Sequence, residues 1–432
     1  MRDFTSKIGV QFRGFLAHAH VVRTLAVLSL VVPTTPIVYA SMQVGTASPT
    51  RPEHHMKERT EGSLDTPHSV PFTLADGRIL IAVRIDGHGP FQMIFDSGAG
   101  AVLSPDVARD LHLRQTVPHS ENGTGANAIQ VSQATVRSVS IGAVHLRDVR
   151  FDVTSMQDMT PVFGDVRIDG ILGRPVFDLT TVQVDYDRRV LRFFGSSGYN
   201  AQPVDWGVPF SRVRDVPLIE ASLDGNKGEF GVDLGARSSL ILTASFASES
   251  GLDRRFQNAT ETVAGWGLGG PIRAKLGRVG DFMFGPFRIA DPVVRLSVQK
   301  AGLLSHSDTA GLIGADILQQ FMITFDSAHR MIYFRPSLQY GRATPFDQSG
   351  MWIIQQDNSV QVLDVVPGGA ADHAQIHTGD RILTVGGKNV RNLRLPDLRE
   401  LWATDPPGTK VVLRVEHEGV ERTAELILKP IV

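Results

Sequence analysis

Cysteine is absent from all 432 residues, which removes disulfides, thiolate nucleophiles and Cys-ligated metals together and leaves the redox compartment open. An excess of charge of either sign is also lacking. Lys and Arg (43) nearly balance Asp and Glu (45), and no basic run is interleaved with aromatics, so nothing points to nucleic acid or a charged membrane surface. The 14 histidines show no HExxH or comparable spacing, and His54-His55 lie in a polar stretch that reads as solvated. Long apolar runs are missing as well. The segment Thr24 to Val32 is shorter than the roughly 20 residues of a spanning helix, and Pro33 and Pro36 follow it.

What is present at the N-terminus is an export pattern. Arg2, Lys7, Arg13 and Arg23 precede the apolar segment, and Val38-Tyr39-Ala40 follows with small residues where a signal peptidase cuts. Residues 1–40 are therefore expected to be a signal peptide cleaved after Ala40, leaving no stable membrane span, with a retained anchor as the alternative. Residues 41–70, rich in Ser, Thr, Pro, His and charge and without apolar periodicity, read as a linker.

From residue 78 the pattern alternates, with Ile79, Ile81, Val83 and Ile85 on one side and Leu80, Ala82 and Arg84 on the other, before Asp86-Gly87 turns the chain. Short strands of this kind recur to about residue 335, broken by brief helical segments such as Pro105 to Leu111, so the expected fold class is mostly β. An internal repeat organises them. The segments at Asp86-Gly87, at Asp96 and at 170–185 recur in the same order about 140 residues later, at Asp224-Gly225, at Asp233 and at 311–326. Two similar β lobes, 71–200 and 201–343, follow from that repeat. A further compact unit is expected at 347–432.

Each lobe carries an acid in a tight glycine turn after an apolar strand: Met93-Ile94-Phe95-Asp96-Ser97-Gly98 and Phe230-Gly231-Val232-Asp233-Leu234-Gly235. A carboxylate there is costly to bury unless it is bonded or paired, and Gly98 and Gly235 let the backbone turn its donors back on the acid. An isolated Asp-Ser or Asp-Gly is usually only a turn, and Asp185 and Asp326, which end strands, read as structural. The doubling is what lifts Asp96 and Asp233 above that reading.

These residues resemble aspartic proteases of the retropepsin and pepsin type, whose lobes each carry hydrophobic-hydrophobic-Asp-Thr/Ser-Gly and, downstream, hydrophobic-hydrophobic-Gly. The downstream element is present as Ile171-Leu172-Gly173 and Leu312-Ile313-Gly314. The resemblance implies a bilobal β fold, Asp96 and Asp233 as an intrachain catalytic dyad supported by Ser97, Gly98 and Gly235, a polypeptide substrate, and no metal or organic cofactor. Leu234 departs from the Thr/Ser of the pattern, which leaves two rivals: a noncatalytic peptide-binding scaffold with degenerate lobes, and a homodimer that pairs two first lobes. The family also places a glycine-rich flap between the acid and the downstream glycine. Gly123, Thr124 and Gly125 are the candidates in the first lobe, and Gly267 and Gly269 in the second, against the plainer reading of hairpin tips. The second segment also matches GxGxxG, but Pro271 and strand-like sequence replace the helix that a nucleotide site needs.

The C-terminal unit resembles a PDZ domain of the bacterial arrangement, through Val362-Leu-Asp-Val-Val-Pro-Gly-Gly-Ala-Ala, Gly379-Asp380 and Val385-Gly-Gly. The resemblance implies binding of a peptide or protein C-terminus, with Gly350, Met351, Trp352 and Ile353 as the carboxylate-binding loop and strand. Together with the signal, this style suggests the periplasm or secretion.

Overall fold

The computed structural model describes residues 59–61, 66–157, 159–164, 166–195, 199–298, 309–344, 346–356 and 359–432. The signal peptide expected at 1–40 lies outside them. Among the described residues no helix is long and apolar enough to cross a membrane.

Among the described residues strands dominate, in four sheets. The first lobe is a nine-stranded sheet in which Gly170–Leu172 lies between Ala101–Leu103 and His88–Phe95. The second lobe repeats the plan in ten strands, with Gly311–Ile313 between Leu240–Leu242 and Asn226–Val232. The register is the same in both: Leu172 sits opposite Phe95, the residue before Asp96, and Ile313 opposite Val232, the residue before Asp233. These parallel pairings between distant segments are the structural content of the repeat.

A six-stranded sheet joins the lobes. Thr181–Asp185 of the first pairs with Phe321–Asp326 of the second, and His68–Pro71 adds at one end along Val190–Phe193. One apolar core runs through both lobes and this sheet, with Phe177 packed between Phe95 and Phe325 at centroid distances of 4.9 and 5.0 Å. Such continuity ties the acid turns to a rigid floor. Asp185 and Asp326 end paired strands here, Asp185 held by Arg188 and Arg192 and Asp326 by His329. Their structural reading fits that geometry.

One local expectation is corrected. The stretch 41–70 is not linker to its end, because Arg59–Glu61 and His68–Pro71 are strands. Edge pairing satisfies backbone groups and needs little apolar periodicity; of the second strand only Val70 is buried. The alternation of sides in Arg78–Ile85 is as expected, although both faces are buried in its first half. Leu80 is buried opposite Ile79 and Ile81 because Met159, Val162 and Phe163 cover that second face.

The C-terminal sheet runs Met351–Gln356, Ser359–Val365, Arg381–Val385, Lys410–His417, Val420–Ile427, with the helix Leu395–Thr404 packed on a separate core around Trp402. Pro396 near the helix start has no amide to leave unbonded. The described residues from Arg59 onward belong to one compact unit, in which this sheet packs on the lobes through its first two strands.

Candidate active site

Asp96 and Asp233 each follow the last residue of an apolar strand, and their amides donate to Leu172 O (3.2 Å) and Ile313 O (3.0 Å), the equivalent carbonyls of the two lobes. The glycine two residues on donates back to the carboxylate, Gly98 N to Asp96 Oδ1 at 2.7 Å and Gly235 N to Asp233 Oδ1 at 2.8 Å, joined by Ala236 N at 3.0 Å. The downstream glycines follow from crowding. A Cβ on Gly173 would lie 2.2 Å from the Asp96 and Ala99 carbonyls, and one on Gly314 2.2 Å from the Ser238 carbonyl.

The turns face each other. A Cβ on Gly235 would lie 2.1 Å from Asp96 Oδ2, and one on Gly98 2.9 Å from Asp233 Cγ. Each glycine is thus a window through which the opposite acid approaches, which brings the two carboxyl groups close enough to interact directly. Burial, and then the Asp233 charge, push Asp96 well above the ordinary carboxylate range. Burial raises Asp233 too, offset by the Asp96 carboxyl and the amides of Gly235 and Ala236. The pair therefore holds a shared proton into a pH range where an isolated aspartate is fully ionised. Two like charges in contact cannot both form without a large repulsion, and one proton between them removes it.

Support between the turns runs one way. Ser97 Oγ, nearly fully buried, donates to Val232 O (2.8 Å) and accepts from Leu234 N (3.1 Å). Leu234 points into the core with no exposure and returns no bond. Sequence reading missed a further brace. Arg78, buried beside the acid strand, donates from Nε to Gly235 O at 2.8 Å and from Nη2 to Trp266 O at 3.3 Å. In the sequence, Asp76-Gly77-Arg78 looks like any charged turn; no local signal marks it.

The two glycine-rich segments are hairpin tips that meet. Gly125 N donates to Leu268 O (2.8 Å) and Asn127 N to Gly269 O (2.9 Å), so the 122–127 tip of the first lobe is stitched to the 267–270 tip of the second. Gly123, Gly125, Gly267 and Gly269 all sit where a Cβ would collide with the opposite tip. The GxGxxG match belongs to the hairpin Glu261–Gly267 and Gly270–Arg278, without the helix a dinucleotide site needs.

In the C-terminal unit, Gly350 has φ +71° and Met351 and Ile353 are buried. Met351–Gln356 is an edge strand, as peptide addition requires, and the helix Leu395–Thr404 flanks it. That groove is not open here. The first-lobe helix Thr160–Phe163 packs against both the strand and the helix, and Arg399 bonds Val162 O (2.8 Å) and Ile353 O. Trp352 stacks on Trp266 at 6.5 Å with planes 12° apart. A cavity of about 320 Å³ opens beside this contact, lined by Asp76, Arg237, Trp352 and Arg399. It lies next to the acid pair rather than at it.

Comparison with known proteins agrees with this architecture. The family model for aspartyl proteases matches residues 81–176 and again 219–317, and a PDZ domain model matches 349–428. The chain is thus a bilobal, mostly β protein in which each lobe matches the aspartyl protease family model. A PDZ domain completes it. Among solved structures, the crystal structure of aspartic proteinase from Irpex lacteus matches at a TM-score of 0.41 and 12% identity, over 65% of this chain and 100% of its own. No curated protein matches the chain.

Proposed function

We infer that the protein is an aspartic endopeptidase whose catalytic dyad is Asp96 and Asp233 of one chain. The observation that carries this reading is the contact of the two carboxyl groups through the windows left by Gly98 and Gly235. Two like charges this close cannot both ionise easily, so one acid keeps its proton while the other takes a proton from bound water. That water attacks the peptide carbonyl. The protonated acid stabilises the oxyanion and later protonates the leaving amine. The joined tips around Thr124 and Gly269 serve as paired flaps that part to admit an extended peptide and exclude water once closed. The PDZ domain takes a peptide or protein C-terminus along the 350–353 strand once the first-lobe helix Thr160–Phe163 leaves that groove. The protein acts after export, in the periplasm or outside the cell.

Asp233 already stands against Asp96 within one chain, which favours an intrachain site over a dimer of first lobes. Leu234 is the observation on the side of a noncatalytic scaffold. Cleavage of a diverse peptide mixture from acidic to neutral pH separates these readings. Wild type is expected to cleave, and Asp96→Asn and Asp233→Asn each to lose at least about a thousandfold. Loss from Asp96→Asn alone would point to the dimer, and no cleavage by any form to the scaffold.

A further inference from the structure

Three arginines close around one buried carboxylate. Arg78 Nη1 lies 3.1 Å from Asp76 Oδ2, while Arg237 Nη1 and Arg399 Nη1 lie 3.2 and 3.1 Å from Oδ1, and the Asp76 side chain is 2% exposed. The cations come from three parts of the molecule: the strand beside the first acid strand, the loop just after Asp233, and the PDZ helix. Burial by itself would raise Asp76, but Arg237, Arg399 and Arg78 overcome it and bring it down to about 2. The cluster therefore stays charged above about pH 4.

Its reach matters more than its internal pairing. A guanidinium is planar, so anchoring one nitrogen fixes the direction of the others. With Nη1 held on Asp76, Arg78 aims Nε at Gly235 O and Nη2 at Trp266 O, which belong to the second acid turn and the second hairpin. Asp76 is fixed in turn by Arg399. That residue, 3% exposed, is held by Val162 O and Ile353 O and lies 5.2 Å from the Trp352 ring. Bonds therefore run without a break from the PDZ helix to Gly235.

We propose that Arg78 and Asp76 are positioning residues for the second acid turn, and that Arg399 makes the PDZ helix part of that support. The proposal rests on the protease reading. It assigns Leu234 a context: the second turn lacks its own hydroxyl and takes a third cross-lobe bond from Arg78 instead. Charge gives the relay a signature that mere gluing lacks. Arg78 favours the ionised form of both dyad acids. Removing its charge moves the dyad up, whereas removing the Asp76 charge unmasks Arg78 and moves the dyad down. Beyond the cluster's own Arg237, the charges facing it are Arg295 of the second lobe, Asp316 two residues after Gly314, and Asp347 ahead of the PDZ strand, and none of these variants substitutes them.

The test uses the full chain and reads kcat, KM and the acid limb of the pH profile for Arg78→Gln, Asp76→Asn, Arg399→Gln and Arg399→Lys. In Arg78→Gln and Arg399→Gln, kcat is expected to fall about tenfold with KM within about twofold, the mark of lost transition-state geometry. The acid limb moves up by about half a pH unit or more in Arg78→Gln and down in Asp76→Asn. Arg399→Lys, which keeps the charge on Asp76 but loses the planar fork to Val162 O and Ile353 O, recovers only part of the loss. Asp364→Ala removes a different contact between the PDZ domain and the lobes, made to Thr262 Oγ1 (2.8 Å) and Val263 N (2.7 Å), and leaves kcat and the limb unchanged. Limb shifts of the same sign, no shifts, or an equal loss in Asp364→Ala would overturn the relay. Infrared titration of the dyad carboxyls, with Asp96→Asn as the blank, reads the same opposite shifts without turnover. An inactive wild type therefore refutes the protease reading while the titration still decides the relay.

Discussion

In the first lobe Asp96 is followed by Ser97, whose hydroxyl reaches across to donate to Val232 O and accept from Leu234 N. In the second lobe Asp233 is followed by Leu234, which turns inward and is buried completely. The backbones of the two turns are otherwise alike, from the amide bond to the downstream strand to the glycine amide on the carboxylate. The difference teaches that a paired site can be symmetric in backbone while one lobe supplies the bracing. Ser97 and Arg78 both belong to the first lobe, and both hold the second turn. Leu234 contributes apolar burial instead, worth about 1.5–3 kcal/mol for a fully buried leucine.

The substitution that most directly breaks this comparison is Ser97→Ala. It leaves Val232 O and Leu234 N without their partner in a buried place, at about 1–3 kcal/mol for each group so exposed. Stability is expected to fall by about 2–4 kcal/mol in urea unfolding, and kcat/KM by at least about a hundredfold as the acids lose registration. Unchanged cleavage would show that the second turn stands without the first.

The next contrast lies in the acids themselves. Burial and the Asp233 charge raise Asp96 above its unfolded value, so the folded state holds the proton more tightly. That contribution favours folding below the unfolded pKa and is lost as pH rises through the folded one. Asp96→Asn should therefore raise stability at pH 7, read as a higher Tm, while removing activity. Asp233→Asn should gain less, since two amides and the Asp96 carboxyl already offset its burial. Asp76 runs the opposite way. Held at about 2 against 3.8, it contributes about 2 kcal/mol that is present above pH 4 and lost as pH falls toward 2. Thermal unfolding of wild type, Asp96→Asn and Asp76→Asn across pH 2 to 8 checks both signs. Equal slopes near neutrality for wild type and Asp96→Asn would remove the case for a strained dyad.

The mostly β fold was legible because its signals are local or repeated. Alternation in Ile79 to Ile85 reports a strand, and two copies of an acid turn with a downstream glycine report two lobes. The C-terminal Gly-Asp and Val-Gly-Gly spacings likewise marked a PDZ domain. What stayed hidden depends on side chains meeting across the chain. Nothing near Arg78 says that it will reach Gly235, 157 positions away, and nothing near Arg399 names Asp76 or Val162. The edge strand His68–Pro71 was hidden for the same reason, since its pairing uses backbone groups that every residue carries. The PDZ pattern gave the groove but not the first-lobe helix Thr160–Phe163 lying against it.

The smallest expected effect sharpens the comparison from the other side. Leu234→Thr places a hydroxyl where the mirror of Ser97 would stand, at the cost of apolar volume in a closed core. Removing buried methyl groups costs about 1–3 kcal/mol, and a new cross-lobe bond returns about 1 kcal/mol, so a net loss of about 0–2 kcal/mol is expected. Activity should stay within about threefold, because Ser97 and Arg78 already fix the second turn and the Gly98 and Gly235 windows are untouched. Leu234→Met, which keeps the volume and adds no hydroxyl, separates the two terms: its stability should lie between that of wild type and Leu234→Thr, with activity unchanged. A gain of tenfold or more in Leu234→Thr, with none in Leu234→Met, would mean that the one-sided bracing leaves the dyad under-supported, and that the apolar residue at 234 limits the chemistry rather than merely filling the core.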